Sequence, residues 1–375
     1  MLKGIHVSLL IGPAVPVPVP QEVLDALTNV QVISSTDDTM NGFELTFALE
    51  TRSPLHTLFL VSAGSPIPLI RVVIAVVING TTEVLMDGVM TQHEIKPGTD
   101  TSHATLIVKG KDLTAVMDYL EFSTPYPAMA AEARVALMLA KYLAFGVVPM
   151  VIPSILLDVP IPIEKIPNQR GTDLNYIRWL ANRVGYVFYL EPGPAIGTSV
   201  AYWGPEIKVG VPQPALNINM DAHTNVESLN FTFDTEHRTL PVIYLHNKES
   251  KAIIPIPVPD ITPLNPPLGV IPPIPKQVKP VCGSAKRSPV EALLIGLATA
   301  AKTADAVKGT GSLDVLRYGR VLKPRKLVGV RGAGTAFDGL YYVTSVTHQI
   351  KRGEYKQQFS LSRNGLVSTL QEVPA

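Results

Sequence analysis

Several residue groups in this sequence have the right types to do chemistry, and each fails on spacing or context. Asp234, Glu236 and His237 crowd together as a metal site would, but they follow a predicted strand end, where a solvated turn is expected. His93-Glu94 lacks the second histidine of a zinc-protease helix and sits on a predicted strand. Cys282 stands beside Lys279 and Lys286, cations that would favour a thiolate, yet no histidine base is near it in sequence. Gly329-Val330-Arg331-Gly332-Ala333-Gly334 is glycine-rich but opens no helix, so it reads as turn rather than phosphate cradle. Trp179, Tyr186, Phe188 and Tyr189 have faces on which bases could stack, but little excess positive charge surrounds them, so core packing is expected. No serine occupies a nucleophile elbow. Nothing here points to catalysis, a cofactor or a metal.

Composition narrows the class further. The 375 residues carry 32 basic and 31 acidic side chains, a net charge of +1. That balance argues against specific nucleic-acid binding and against an anionic membrane surface. Charged residues make up 17 %, against about 25 % in ordinary soluble chains. The one cysteine excludes an intrachain disulfide framework. Surplus apolar surface without a membrane span is expected to go into permanent subunit contacts. The apolar start of the chain, faintly like a signal peptide, and residues 144–163, a candidate span, are both broken by prolines.

The elements that would carry any site are mostly strands. Phe43, Leu45, Phe47 and Leu49 alternate with polar or small residues, the period of a half-buried strand. Residues 69–78 are almost wholly apolar, as in a strand buried on both faces or lying under a partner. Asn79-Gly80 marks a hairpin, and Asp87-Gly88 a second turn. Asp112 is placed to cap a short helix. Residues 128–144 are helical in composition. Thr172 or Asp173 can cap a helix whose stripe is Leu174, Ile177, Ala181 and Val184 and whose stop is Gly185. Leu229, Phe231 and Phe233 alternate again. The proline density of residues 255–280 forbids helix and central strand, which predicts an extended excursion lying against protein. Ser288-Pro289-Val290-Glu291 opens a helix expected to stop at Gly309.

One internal echo stands out. Asp87-Gly88 followed by His93-Glu94-Ile95-Lys96 resembles Asp338-Gly339 followed by His348-Gln349-Ile350-Lys351. It predicts two copies of one β-domain, the second interrupted by the proline-rich insert.

Residues 171–189, Asp-Leu-Asn-Tyr-Ile-Arg-Trp-Leu-Ala-Asn-Arg-Val-Gly-Tyr-Val-Phe-Tyr after a polar start, resemble the S-D-L-x-F-L-x-R-L-A-x-x-x-G-x-x-F signature of the phage late control protein D family. That family includes baseplate hubs of contractile tails and the hub portion of VgrG spikes. The segment from Asp338 to His348, with Tyr355, Phe359, Leu361 and Arg363-Asn364, is similar to the family's closing hairpin. Phe43 to Leu49, Asp87-Gly88-Val89 and Gly110-Lys111-Asp112-Leu113 follow the family's order at the start. The proline-rich insert departs from it, and no OB-fold follows the last hairpin, which under the resemblance implies a hub docking a separate spike.

The resemblance implies a β-rich α+β fold of two tube-protein-like antiparallel β-barrels with an α/β insertion and a proline-rich insertion. Residues 1–122 would form the first barrel, 123–212 the helical and α/β insertion, 213–250 with 310–368 the second barrel, and 251–309 the proline-rich excursion and helix. It implies a homotrimer adapting a six-fold tail tube to a three-fold spike. The expected partners are a tail tube or tube-initiator protein, a spike and baseplate wedge proteins. Assembly is expected in the bacterial cytoplasm, within a virion or other contractile particle. Strand position makes Val72, Val73, Ile74, Val76, Tyr341, Val343, Phe359 and Leu361 the expected interface residues. Two other readings are a β-rich receptor-binding or tube-initiator tail protein and, from the enzyme class, a cell-wall hydrolase with two carboxylates in a cleft.

Overall fold

A computed structural model describes residues 5–370 apart from 14, 38–39, 50–54, 56–68, 98–103, 155–160, 164–165, 237, 247–251, 260–263 and 283–288. The first half of the chain gives β1 (Ile5–Gly12), β2 (Val17–Pro18), helix α1 (Gln21–Ala26), β3 (Leu27–Ser35), β4 (Gly42–Leu49), β5 (Arg71–Ile78), β6 (Thr81–Lys96) and β7 (Ala104–Asp112). In β4 the alternation seen in the sequence holds: Phe43, Leu45, Phe47 and Leu49 are buried and their neighbours half-buried. Asn79 and Gly80 take φ of 50° and 81°, the left-handed pair that a two-residue hairpin requires. Asp87-Gly88 makes no turn. Both lie inside β6, and Gly88 is there because a Cβ would meet the Lys111 carbonyl oxygen at 2.1 Å.

An insertion follows, with β8 (Glu121–Pro125), α2 (Ala131–Ala140), β9 (Val147–Val151), β10 (Asn168–Thr172), α3 (Asp173–Val184), β11 (Val187–Pro192) and β12 (Ser199–Gly204). Thr172 caps α3 by accepting from the Asn175 N–H at 3.2 Å, and Gly185 ends it at φ 71°. The Asp173 carboxylate is buried and accepts from Gln169 Nε2 at 2.7 Å, Tyr142 Oη at 2.9 Å and Lys141 Nζ at 3.1 Å. It locks α3 onto the preceding strand and is structural. The insertion has its own core around Met138, Leu139, Ile177 and Trp203. Trp179 departs from the core role expected of it: it is half exposed, stacked on Tyr176 and covered by Arg183.

The remaining elements are β13 (Gln213–Asn217), β14 (Ser228–Phe233), β15 (Thr239–His246), β16 (Ile253–Pro257), β17 (Gly269–Ile271), β18 (Gln277–Pro280), α4 (Pro289–Ala304), β19 (Val307–Asp314), α5 (Val315–Tyr318), β20 (Leu327–Arg331), β21 (Gly339–Lys351), β22 (Glu354–Arg363) and β23 (Leu366–Ser368). Of the prolines of 255–280, Pro255 and Pro257 lie on β16 and Pro280 on β18, the two edge strands that flank β15. The helix opened by Pro289 ends at Ala304, before Gly309. Gly309 belongs to β19, where a Cβ would press the Phe231 and Leu361 side chains.

Thirteen strands form one sheet with the path β14-β19-β22-β21-β3-β4-β7-β6-β5-β1-β2, plus β13 and β20. The two halves of the chain meet at β3 and β21, paired antiparallel from Asn29 with Lys351 to Ser35 with Ser345. A single apolar cluster runs through both, from Ile5, Phe47 and Val76 to Tyr341, Phe359 and Leu361.

His348 sits in that cluster at 3 % exposure, its Nδ1 2.8 Å from Tyr355 Oη. Burial lowers its pKa from 6.5 to about 3, so it is neutral when folded and protonates readily only when unfolded. Its share of stability is therefore complete above pH 6.5 and is lost as pH falls from there towards 3. Urea titrations of wild type and His348→Gln should show the wild-type slope reduced in the variant by up to about 1.4 kcal/mol per pH unit across that window. Identical slopes would mean that the imidazole is solvated.

Candidate functional site

Strand edges are the reactive feature of a β-protein, because unpaired N–H and C=O groups invite another strand. In the insertion and the proline-rich region those edges are blocked. Ile152 N–H bonds Trp203 O across the β9–β12 pair, which places Pro149 with its nitrogen on the outer side. Val258 N–H bonds Pro241 O, so Pro255 and Pro257 of β16 face outward. Val281 N–H bonds Val242 O, so Pro280 of β18 also faces outward. Pro18 does the same on β2, at one end of the main sheet. Each proline removes the donor that a docking strand would need.

Along the main path of the sheet, β14 and the second half of β6 carry no such block among the described residues. β14 pairs there only with β19, on its inner side. Asp234 N–H bonds Ala306 O, so the alternating N–H groups of Leu229 and Phe231 point away from β19. The pairing of β6 to β5 ends at Val89, with Met90 N–H still reaching Ile70 O. Beyond the bulge at Thr91, residues 92–96 pair only with β7 among the described residues. His93 and Ile95 turn their N–H groups outward there, and Ile95 is 53 % exposed on the face that elsewhere is core.

These edges bound a run of eight strands, β14-β19-β22-β21-β3-β4-β7-β6, in which every neighbour is antiparallel. One face of the run is core. The other presents Ser228, Asn230, Thr310 and Ser312, then Ser345, Thr347, Gln358 and Ser360, around a shallow depression of about 380 Å³. It continues through Gln31 opposite Glu44, and Glu44 is paired with Lys109 at 3.0 Å.

The run repeats one strand order, β3-β4-β7-β6 in one half and β14-β19-β22-β21 in the other. In one copy His93 faces Val108 and Val108 faces Leu45; in the other His348 faces Gln357 and Gln357 faces Leu313. The His-x-Ile-Lys echo is thus a structural equivalence of β6 with β21, while its Asp-Gly part is not, since Asp87 is inside β6 and Asp338 precedes β21. The second half of β21 uses its outer edge to pair with β3, placing His348 opposite Val32 and Ile350 opposite Val30. Among the described residues, the same edge of β6 and the outer edge of β14, the counterpart of β3, have no partner strand.

The eight residues expected at an interface lie elsewhere. Val72, Val73, Ile74, Val76, Tyr341 and Val343 have 0 % exposure, Phe359 3 % and Leu361 1 %. Their side chains are buried within the single chain, which leaves them little surface to offer another subunit. A continuous apolar run reports burial on both faces without saying what covers it. The edge residues His93 and Leu229 were missed because edges have no composition of their own; only the repeated His-x-Ile-Lys hinted at them.

The chemical candidates do not assemble. Among the described residues no group of three His, Cys, Asp or Glu could hold a metal, and His237 lies outside them. Cys282 is exposed. Where the two halves and the insertion meet, a cavity of about 70 Å³ touches Glu83, Asp87 and Asp112. Asp87 is held by Arg71 at 2.6 Å and Glu83 by Lys323 at 2.5 Å. Asp112 accepts from the Thr114 N–H at 3.1 Å and from Asn41 at 3.3 Å, and desolvation raises its pKa. These three carboxylates are structural ties.

No protein-family model and no curated protein matches the sequence. The fold, in contrast, has clear likenesses. A tail protein from Neisseria meningitidis MC58 superposes with a TM-score of 0.62 at 15 % identity, over 97 % of this chain and 98 % of its own. The 43 kDa tail protein of prophage MuSo2 from Shewanella oneidensis gives 0.59 at 15 %, over 96 % and 98 %. A chain of the Francisella PdpA–VgrG complex gives 0.60 at 9 %, over 100 % of this chain and 55 % of its own. The fold is that of tail proteins and of a VgrG assembly, as the sequence motifs imply, and no helix among the described residues is long and apolar enough to cross a membrane.

Proposed function

We propose that this chain is the structural hub of a contractile-tail baseplate, a homotrimer that joins the tail tube to a spike. The observation that carries this reading is the pair of open, complementary edges on a sheet that already contains the same seam internally. Eight alternating strands leave β6 running opposite to the β14 of a following copy, so copies related by rotation continue the antiparallel order. The equivalence with the β21–β3 seam sets His93 opposite Leu229 of the next subunit and covers Ile95. Because each chain contributes two similar units, three chains present a six-fold-like ring to a tube or tube-initiator protein. At the opposite end they present a true three-fold face to the spike, with wedge proteins outside. The polar Ser/Thr/Asn/Gln face lines the ring. Function is mechanical: the ring transmits sheath contraction to the spike, and no bond is made or broken in a substrate.

The seam can be tested directly. With Cys282→Ser as background, the pair His93→Cys and Leu229→Cys should form interchain disulfides, because hydrogen-bonded antiparallel partners lie at Cα separations of about 5.5 Å. A non-reducing gel should show a ladder ending at three chains of 40.5 kDa each. A chain that stays monomeric in light scattering, alone and with the spike, and forms no such crosslink would overturn the reading.

A further inference from the structure

The two His-x-Ile-Lys strands differ in what surrounds the histidine. At the seam inside the chain, His348 lies under β3 with polar company: its Nδ1 is 2.8 Å from Tyr355 Oη and 3.3 Å from Gln357 Nε2. Strand register gives the counterparts of those two residues in the first half. Ile350 faces Tyr355 as Ile95 faces Leu106, and His348 faces Gln357 as His93 faces Val108. Leu106 and Val108, both buried, thus stand where the second half has a hydroxyl and an amide. Neither can hydrogen-bond an imidazole. His93 shares the core side of the sheet with Val108, yet at the end of the run its own side chain is exposed.

We propose that His93 makes the contact between subunits acid-labile: the ring closes on a neutral imidazole and opens when that imidazole is protonated. The inference rests on the β6–β14 seam proposed above. Closing that seam sets Leu229 of the next subunit opposite His93 and moves the imidazole from water to a site walled by Leu106, Val108 and Leu229. An imidazole in water changes its charge between about pH 7 and 6, whereas an imidazolium covered by apolar groups loses hydration that nothing replaces. Protonation therefore favours separate subunits. The surrounding charges leave that sign unchanged. On β6, Glu94 and Lys96 turn to the opposite face, 3.9 Å apart. The neighbours on β7 and β4, Leu106, Val108, Gly110 and Leu45, are uncharged. Helix α1, packed on β4, turns Val23 inward and leaves Glu22 and Asp25 in solvent. On the docking β14 the one charge within two residues of Leu229 is Glu227, already paired with Lys356 at 3.0 Å. Over that strand Phe337 stacks on Phe231, and Asp338 beside it accepts from the Ala333 N–H.

Sedimentation of the full chain over a concentration series, at about pH 8 and about pH 5.5, reads the association constant, with the spike present if the ring needs it. The quantity compared is the ratio of the two constants within each protein, so a seam altered in overall strength does not disturb it. Wild type should lose at least about ten-fold per seam in acid. His93→Leu, which puts an apolar side chain among Leu106, Val108 and Leu229, should change by less than about two-fold. Both proteins keep His348, so its response to acid is common to them, and thermal melting at both pH values verifies that the subunits stay folded. Equal weakening of the two proteins, or no weakening of wild type, would overturn the proposal and leave the ring standing. Tighter association in acid would overturn it too, by showing that Glu227 captures the imidazolium. A chain monomeric even at the higher pH, alone and with the spike, would overturn the hub reading and this proposal with it.

Discussion

Replacing His93 with proline should give a folded chain that no longer joins its neighbours. The substitution removes one N–H from the outer side of β6 and none from the β6–β7 ladder, since Met90 points outward and the bulge at Thr91 puts His93 on the same side. The side chain is exposed, so no core contact is lost. Proline also fixes φ and places its ring where the next strand would lie, so the docking strand meets a steric block as well as a missing donor. Each net main-chain bond contributes only about 1 kcal/mol, but the proposed seam would form cooperatively, and every subunit of the proposed ring would carry the lesion. Light scattering should therefore fall from trimer to monomer while the far-ultraviolet spectrum and melting of the monomer are preserved. Gln92→Pro supplies the contrast, because that position belongs to the ladder with β7 and its loss should lower the melting temperature. A trimer that survives His93→Pro would sink the proposed seam.

Strand periodicity and turn chemistry made much of the architecture legible from the residues. Phe43 to Leu49, the Asn79-Gly80 hairpin and the Thr172-to-Gly185 helix all appear where local signals put them. Local signals failed where a long-range contact overrode them. Asp87-Gly88 has turn composition, yet the aspartate is drawn into a buried ion pair and the glycine answers a close approach of β7. Gly309 looked like a helix stop because nothing in its neighbourhood reveals that Phe231 needs the space.

The edges proposed for assembly were legible only as an unexplained repetition. His93-Glu94-Ile95-Lys96 and His348-Gln349-Ile350-Lys351 occupy equivalent positions, but among the described residues the second is paired on both edges and the first only with β7. The repeated residues do not say which copy is flanked on both sides; the strand order does. The prolines carry the complementary message. Their density in residues 255–280 forbids a central strand, while the outward-facing Pro255, Pro257 and Pro280 remove donors from the edges of β16 and β18.

The second large effect concerns Arg71 and Asp87, the tie between β5 and β6. Arg71 Nε and Nη2 donate to the two Asp87 oxygens at 2.8 and 2.6 Å, with side-chain exposures of 5 % and 0 %. Arg71 also donates to Gly197 O at 2.9 Å, and Ser199 Oγ to Asp87 at 3.3 Å, so the pair fastens the insertion to the first half of the sheet. Arg71→Met keeps most of the volume but leaves a buried carboxylate without its cation, a change that costs about 3–5 kcal/mol. Asp87→Leu should cost a similar amount, by stranding the guanidinium. The double variant removes both charges and should recover a large part of either loss, because desolvating an ion pair offsets most of its Coulombic gain. Urea denaturation of the four proteins closes the cycle. A double variant as unstable as the sum of the singles would show that the two side chains act separately, and that something other than the pair holds the insertion in place.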